Sequence, residues 1–356
     1  MSDHTTTFIN KTPARLNLRM PAEWEPHVGT WFTWPRPDGI SFPDRYDAVP
    51  PVYAELIKHL VKVEDVNINV WHADMEHEVR TILTKLKTPL ERVFFHHFPA
   101  YEPWCRDHGP IFLVRDFHGR HERAVVDWGY NAWGDKYPPY DLDDAVPQHV
   151  AALRGLHLFT PGMILEGGSI EVNGTGTLLT TEACLLNKNR NPRMDQGEIS
   201  RCLRDYLGVE RIIWLGDGIV GDDTDGHVDD LSRFVNPTTI VTIVEDNIDD
   251  VNYSALQENY RRLRLARDAE GRLFNIVKLP TPGRVEYQGQ RLPASYANFY
   301  IANKLVLVPT FRHANDTVAV EILQQQFPDR QVVGVDSTDL IWGLGSFHCI
   351  TQQEPA

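Results

Sequence analysis

Two rhythms of apolar residues alternate along the second half of the chain, and the alternation recurs. Ser169–Thr180 carries two short strand-like runs around Asn173-Gly174, a dipeptide suited to a tight hairpin turn. A segment with helical spacing follows near Asp195–Leu207, then an apolar strand at Arg211–Leu215. The same grammar returns in His227–Glu245, which turns at Asn236-Pro237, with a helix near Val251–Asp268 and a strand at Phe274–Leu279. It returns again in Ala297–Phe311, turning at Asn303-Lys304, with a helix at Thr317–Phe327 and a strand at Gln331–Val335. A spacing of about 60 to 70 residues between such units is a statement about architecture.

The first half echoes this pattern. Val52, Leu56, Leu60 and Val63 mark a helix leading into the strand Val66–Trp71, and Glu76–Leu86 leads into Arg92–Phe98 in the same way. Dividing the chain by the period gives about five units of hairpin, helix and strand. Hairpins interleaved with helices do not suit a doubly wound parallel sheet. The expected fold is therefore α/β, a closed ring of small units, and with no linker or low-complexity stretch residues 1–356 read as a single domain.

Composition narrows the function more than the fold. The formal net charge of -14 argues against nucleic acid as a partner, because phosphates repel an acidic surface. It biases encounters towards cations instead, if the acids converge on a cleft. The opening stretch, residues 1–24, has no basic start followed by an apolar run, so no leader peptide is expected. No apolar stretch approaches the roughly 20 residues that span a bilayer, so no membrane partner is expected either. Cys105, Cys184, Cys202 and Cys349 are too scattered for a disulfide framework or a Cys-x-x-Cys metal site. A cytoplasmic location fits, and there a cysteine is free to react.

Several segments carry candidate chemistry, each beside a plainer reading. Cys349 follows Gly343-Leu-Gly-Ser-Phe-His, where glycines let backbone approach a ligand; the alternative is a buried structural cysteine. His348 is adjacent, but neighbours on a strand face opposite ways, so it is not expected to partner Cys349. His227 and Asp229, placed on a strand two residues apart, would project an imidazole and a carboxylate onto one face; the alternative is a solvated acidic turn. Asp107, in Trp104-Cys-Arg-Asp-His-Gly-Pro, reads as a binding carboxylate or as a turn cap, with Cys105 as reserve nucleophile. Glu166, ahead of two glycines, is either a loop acid or the group that orients a histidine. Trp128, Tyr130 and Trp133 could wall a cation pocket or pack in the core.

Metal and nucleotide readings are weaker. Aligning Gly226 with the glycine of a calcium loop puts Gly221 and Ser232 where acids are required. There is no His-Glu-x-x-His and no glycine-rich phosphate loop, so neither a metal nor an organic cofactor is expected.

Taken in order, these segments resemble the agmatine deiminase and bacterial-type peptidylarginine deiminase family of the guanidine-modifying superfamily. The resemblance runs through Pro21-Ala-Glu-Trp-Glu-Pro-His, the segments at Trp104 and Asp127, Glu166-Gly-Gly, Asn189-Arg-Asn-Pro, Gly226-His-Val-Asp, Ala294-Ser-Tyr-Ala-Asn-Phe-Tyr and His348-Cys-Ile-Thr-Gln-Gln. It implies a five-bladed pseudo-symmetric α/β propeller of the pentein type. It also implies roles: Cys349 as nucleophile, His227 as general acid/base, Glu166 as its orienting acid, and Asp107 and Asp229 as the grip on a guanidinium. Asp223 and Trp104 join them as substrate-binding candidates. Where the family usually carries Asp-Glu-Thr-Asn-Gly-His and a Gly-Gly-Gly-Asn run, this chain reads Asp222-Asp-Thr-Asp-Gly-His and Gly343-Leu-Gly-Ser, so the far end of the substrate pocket is altered. Agmatine is the leading substrate, and free or peptide-terminal arginine is the alternative. From other classes come a non-catalytic propeller that binds a partner and a metal-dependent hydrolase. A homo-oligomer is compatible with the sequence, which leaves subunit number open.

Overall fold

The computed structural model describes residues 11–356; residues 1–10 of the stretch read for a leader lie outside them. Five sheets and one small hairpin make up the β structure of the described residues. Four sheets obey the same rule. Ile111–Phe117 and Arg120–Val126 form an antiparallel pair, and His157–Phe159 adds parallel to the second strand. Glu171–Val172, Thr177–Thr181 and Arg211–Leu215 repeat this, as do Ser232–Asn236, Thr239–Val244 and Asn275–Pro280. Tyr300–Ala302, Leu305–Thr310 and Gln331–Asp336 complete the series.

The remaining sheet departs from this order. His27–Thr33, Asp65–Asn69 and Val93–His96 run parallel, and the antiparallel partner of His27–Thr33 is Gln352–Pro355, from more than three hundred residues away. This long-range closure was invisible to a reading based on adjacent hairpins. In the hairpin Ile111–Val126 charged residues on the outer half mask the pattern that would announce it in the sequence.

Helices bridge from each hairpin to its third strand. Gln196–Leu207 is capped by a reciprocal box between Asp195 and Glu198, buries Ile199, Leu203 and Leu207 at four-residue steps, and ends at Gly208 in the left-handed conformation. Tyr253–Leu265 and Asn315–Gln326 turn Leu256 and Leu263, and Ala319 and Leu323, inward in the same way. The predicted helices and strands are present with ends shifted by one to a few residues, as fraying termini lead one to expect. No helix among the described residues is long and apolar enough to cross a membrane.

Candidate active site

The candidate residues meet because each rides on the stretch of chain that leads into the antiparallel edge strand of a sheet. Asp107 lies on the short helix Cys105–His108, ahead of Ile111. Glu166 precedes the 3-10 turn Gly167–Ser169 and the strand at Glu171. His227 and Asp229 lie on a second such turn, Val228–Asp230, ahead of Ser232. Cys349 precedes Gln352. Repetition of one unit thus delivers one polar residue after another to the same place.

His227 and Asp229 were expected on a strand, and this is corrected: the strand begins only at Ser232. The Asp222 carboxylate accepts from the N–H groups of Thr224, Gly226 and His227 at 2.8, 2.9 and 3.2 Å, which curls the segment before it can extend. The two side chains still converge. A Cβ placed on Gly168 would lie 2.6 Å from His227 Nδ1, 2.8 Å from Asp107 Oδ1 and 2.9 Å from Asp229 Oδ2. Three functional groups therefore surround one glycine, whose own N–H donates to Asp107 Oδ1 at 3.0 Å.

Four buried polar atoms in this cluster have no hydrogen-bond partner in the protein: both ring nitrogens of His227, Glu166 Oε2 and Asp229 Oδ1. Buried polar groups are nearly always paired, so four orphans in one spot mark a site built around a polar molecule. Glu166 stands 4.0 Å from His227 Nε2, too far for a hydrogen bond, while its other oxygen accepts from Arg190 Nε at 2.8 Å. Arg190 also reaches Asp225 and the Thr224 carbonyl, so it ties the lead-in at Glu166 to the one at His227. His348 and Cys349 lie on a turn and not, as expected, on a strand, which begins only at Gln352, and both reach the same oxygen of Asp229. The His348 Nδ1 meets Asp229 Oδ2 at 2.6 Å and its Nε2 meets Glu23 Oε2 at 2.7 Å, within a buried network that includes Arg106 and Arg233.

Burial dominates the electrostatics. It pushes the Asp107 carboxyl up to about 7; the Trp133 indole N–H at 2.9 Å opposes this and the Glu166 charge reinforces it. Asp229 is raised well above the carboxylate range by burial and then by Asp107. His227 is held far below its ordinary value by burial and by Arg190, so its imidazole is neutral. The Cys349 thiol is raised by burial, then by Asp229, Asp230 and Asp107. A cation seated among these acids would reverse the balance, favouring carboxylates and thiolate together.

A cavity of about 220 Å³ opens onto the thiol, and its lining includes Trp104, Asp107, Trp133, Tyr137, Asp223 and Cys349, with Leu344 and Trp342. Trp104 and Trp133 are thus wall residues. Trp128 and Tyr130 do not line it and pack in the core, which corrects the three-aromatic pocket. Cys105, the reserve nucleophile, is fully buried with its thiol pushed up to about 12 and does not reach the cavity. Glu166, Cys184 and His227 are close enough together to hold an ion, but Arg190 already occupies Glu166, and its charge would repel a metal.

Arg190 and Asn298 stand in two of the segments that carry the resemblance, but sequence reasoning gave neither a role. The latter is completely buried in the lead-in to Tyr300, with its side-chain nitrogen 3.1 Å from Cys349 Sγ. Its place ahead of a hairpin strand, equivalent to that of the other candidates, was the available signal.

Residues 19–355 match the model of the Porphyromonas-type peptidyl-arginine deiminase family. The agmatine deiminase of Pseudomonas aeruginosa is 38% identical over 369 residues, covering 97% of each chain. The structure of the agmatine deiminase of Enterococcus faecalis catalysing its reaction superposes with a TM-score of 0.90 at 35% identity, covering 98% of both chains. That of the C. jejuni agmatine deiminase with substrate bound gives 0.86 at 29% identity, covering 95% of this chain and 96% of that one. A match along nearly the whole length, by sequence and by an α/β fold, means that this chain belongs to the Porphyromonas-type peptidyl-arginine deiminase family.

Proposed function

We propose that this protein hydrolyses agmatine to N-carbamoylputrescine and ammonia through a covalent intermediate on Cys349. Asp107 and Asp229 receive the guanidinium nitrogens in charge-assisted hydrogen bonds and fix the carbon against the thiol. The incoming cation offsets the three carboxylates that hold the thiol protonated, and Cys349 passes its proton to the neutral His227 imidazole. Thiolate sulfur bonds to the guanidinium carbon, one C–N bond breaks, and His227 returns the proton so that ammonia leaves. Water then loses a proton to His227 and attacks the thiouronium carbon. The C–S bond breaks, Cys349 departs as thiolate and takes back the proton held by His227, and the added hydroxyl gives up its proton to solvent as the neutral ureido product forms. Glu166, held by Arg190, supports the imidazolium electrostatically from 4.0 Å. No metal or organic cofactor enters these steps.

One observation carries the choice of substrate. The cavity lining offers Asp107 and Asp223 and not one Lys, Arg or His among the described residues. An arginine carboxylate would need a basic partner there. Arg233 is committed to Glu171 and Glu23 in the interior, and Arg193 does not line the cavity. The far amine of agmatine has Asp223, whose Oδ2 is steadied by the Tyr137 hydroxyl at 2.5 Å. We further read the five sheets as the blades of a pseudo-symmetric propeller and residues 1–356 as one domain. The repeated lead-ins that converge on Cys349 support this.

The test sets agmatine and arginine side by side, with ureido product and ammonia as readouts, Cys349→Ala as control and a chelator in parallel. Turnover of agmatine that is abolished by the substitution and indifferent to chelator is the expected result. Turnover of arginine alone, or turnover surviving in Cys349→Ala, would overturn the proposal.

A further inference from the structure

Four lead-in segments bring Asp107, Glu166, His227 with Asp229, and Cys349 to the site, each ahead of the antiparallel edge strand of its sheet. The remaining sheet begins at Tyr300, and the residue that its lead-in brings to the thiol is Asn298. This amide is fixed from both ends. Its Oδ1 accepts from the backbone N–H of His348 at 3.0 Å and of Cys349 at 3.4 Å, which establishes which end is oxygen. Its Nδ2 donates to Asp230 Oδ1 at 3.0 Å and to Cys349 Sγ at 3.1 Å. Asn298 and Asp230 are both buried, and Asp230 is anchored through its carbonyl to the Ser295 hydroxyl at 2.7 Å, so the amide cannot rotate without breaking several bonds.

We propose that Asn298 is a catalytic residue of this site, an N–H donor that stabilises the Cys349 thiolate. The inference rests on the reading of Cys349 as the nucleophile. The acids nearest the sulfur work against the thiolate: Asp229, whose Oδ2 lies 3.8 Å away, Asp230 and Asp107. Among the described residues, Asn298 is the one side chain that donates a hydrogen bond to this sulfur. The backbone of Ser346 supplies a second favourable contact from the chain itself. A bound guanidinium neutralises the acids while it is present. When a neutral ureido product forms and the thiolate departs, that compensation is gone, and the Asn298 N–H remains. The donor thus acts at the step where sulfur becomes the leaving group.

The experiment needs no substrate for its main readout, which separates it from the deiminase reading. The pH dependence of iodoacetamide alkylation of Cys349 is measured in the unaltered protein and in Asn298→Ala. Loss of one hydrogen bond to a charged group should move the inflection up by about one to two pH units. With agmatine, kcat should fall about 10- to 100-fold while KM changes less than about threefold, since the guanidinium grip is untouched. An inflection that stays in place in the folded variant overturns the inference, whatever the substrate proves to be. Should Asn298→Ala fail to fold, unaltered protein labelled with 15N-asparagine serves instead. One side-chain amide pair should shift with the midpoint of alkylation and stop shifting in Cys349→Ala, and the absence of any such pair refutes the assignment. Absent agmatine turnover with the inflection shifted would remove the substrate reading and leave the Asn298 assignment standing.

Discussion

Gly168→Ala is the smallest change that tests the geometry. Ordinary van der Waals contact for a Cβ begins at 3.4 Å, whereas this one would stand 2.6 Å from His227 Nδ1, 2.8 Å from Asp107 Oδ1 and 2.9 Å from Asp229 Oδ2. The three groups must withdraw by about 0.8, 0.6 and 0.5 Å (3.4 less each distance). Displacement of a reacting or positioning group by about 1 Å costs roughly 10²-fold, so kcat/KM should fall about 10²- to 10³-fold. Gly168 does not occupy the left-handed region, so alanine is compatible with the backbone there. Overpacking costs about 1–3 kcal/mol and is offset by about 0.4–1 kcal/mol from the stiffer unfolded chain. The variant should therefore remain folded, with a melting temperature lowered by a few degrees. Steady-state kinetics on agmatine beside a thermal melt reads both quantities. A folded variant with kcat/KM within threefold of the parent would refute the claim that these three groups form the reacting constellation.

Other consequences can be checked with the same assay. In the free protein, kcat/KM should rise with pH through about 7 as Asp107 loses its proton, and Asp107→Asn should abolish turnover; a flat profile from pH 6 to 8 would contradict this. The sign for stability is opposite. Between the ordinary value of 3.8 and about 7 the folded protein keeps a proton that the unfolded chain has lost, so Asp107 makes the fold less stable as pH rises across that window. Asp107→Asn should flatten the corresponding slope in melting temperature. Asp223→Asn should raise KM for agmatine about 10- to 100-fold with kcat little changed, as expected for loss of a charge-assisted contact to the far amine; an unchanged KM would remove Asp223 from the pocket's work. Arg190→Met leaves the buried Glu166 without its ion pair and should cost about 3–5 kcal/mol in urea unfolding. A cost under about 1 kcal/mol would remove Arg190 as the group that holds Glu166 in place.

Much of this was legible in the chain, for identifiable reasons. Hairpins such as Glu171–Thr181 and Ser232–Val244 carry turn residues and apolar runs that announce themselves locally. Helix Gln196–Leu207 carries its cap and its stop in the sequence. His227 and Asp229 were rightly paired, but for the wrong geometric reason: the local hydrogen bonds of Asp222 overrode the strand pattern. Arg190 and Asn298 were quoted in the segments that carry the resemblance but given no role, because their importance lies in partners across long stretches of chain, Glu166 for the one and Cys349 for the other. Asparagine in particular has no composition signature, since a buried amide that bonds a thiol looks like any turn residue until the fold places it.

The pairing of Gln352–Pro355 with His27–Thr33 has a consequence for how activity appears during synthesis. Cys349 sits three residues ahead of that strand, so the segment carrying the thiol is docked only when residues near 355 have been made and released to pair with residues near 27. Until then the four acids and the imidazole can be in place without their sulfur. The thiol would take its place in the pocket only once the segments near residues 27 and 355 have paired.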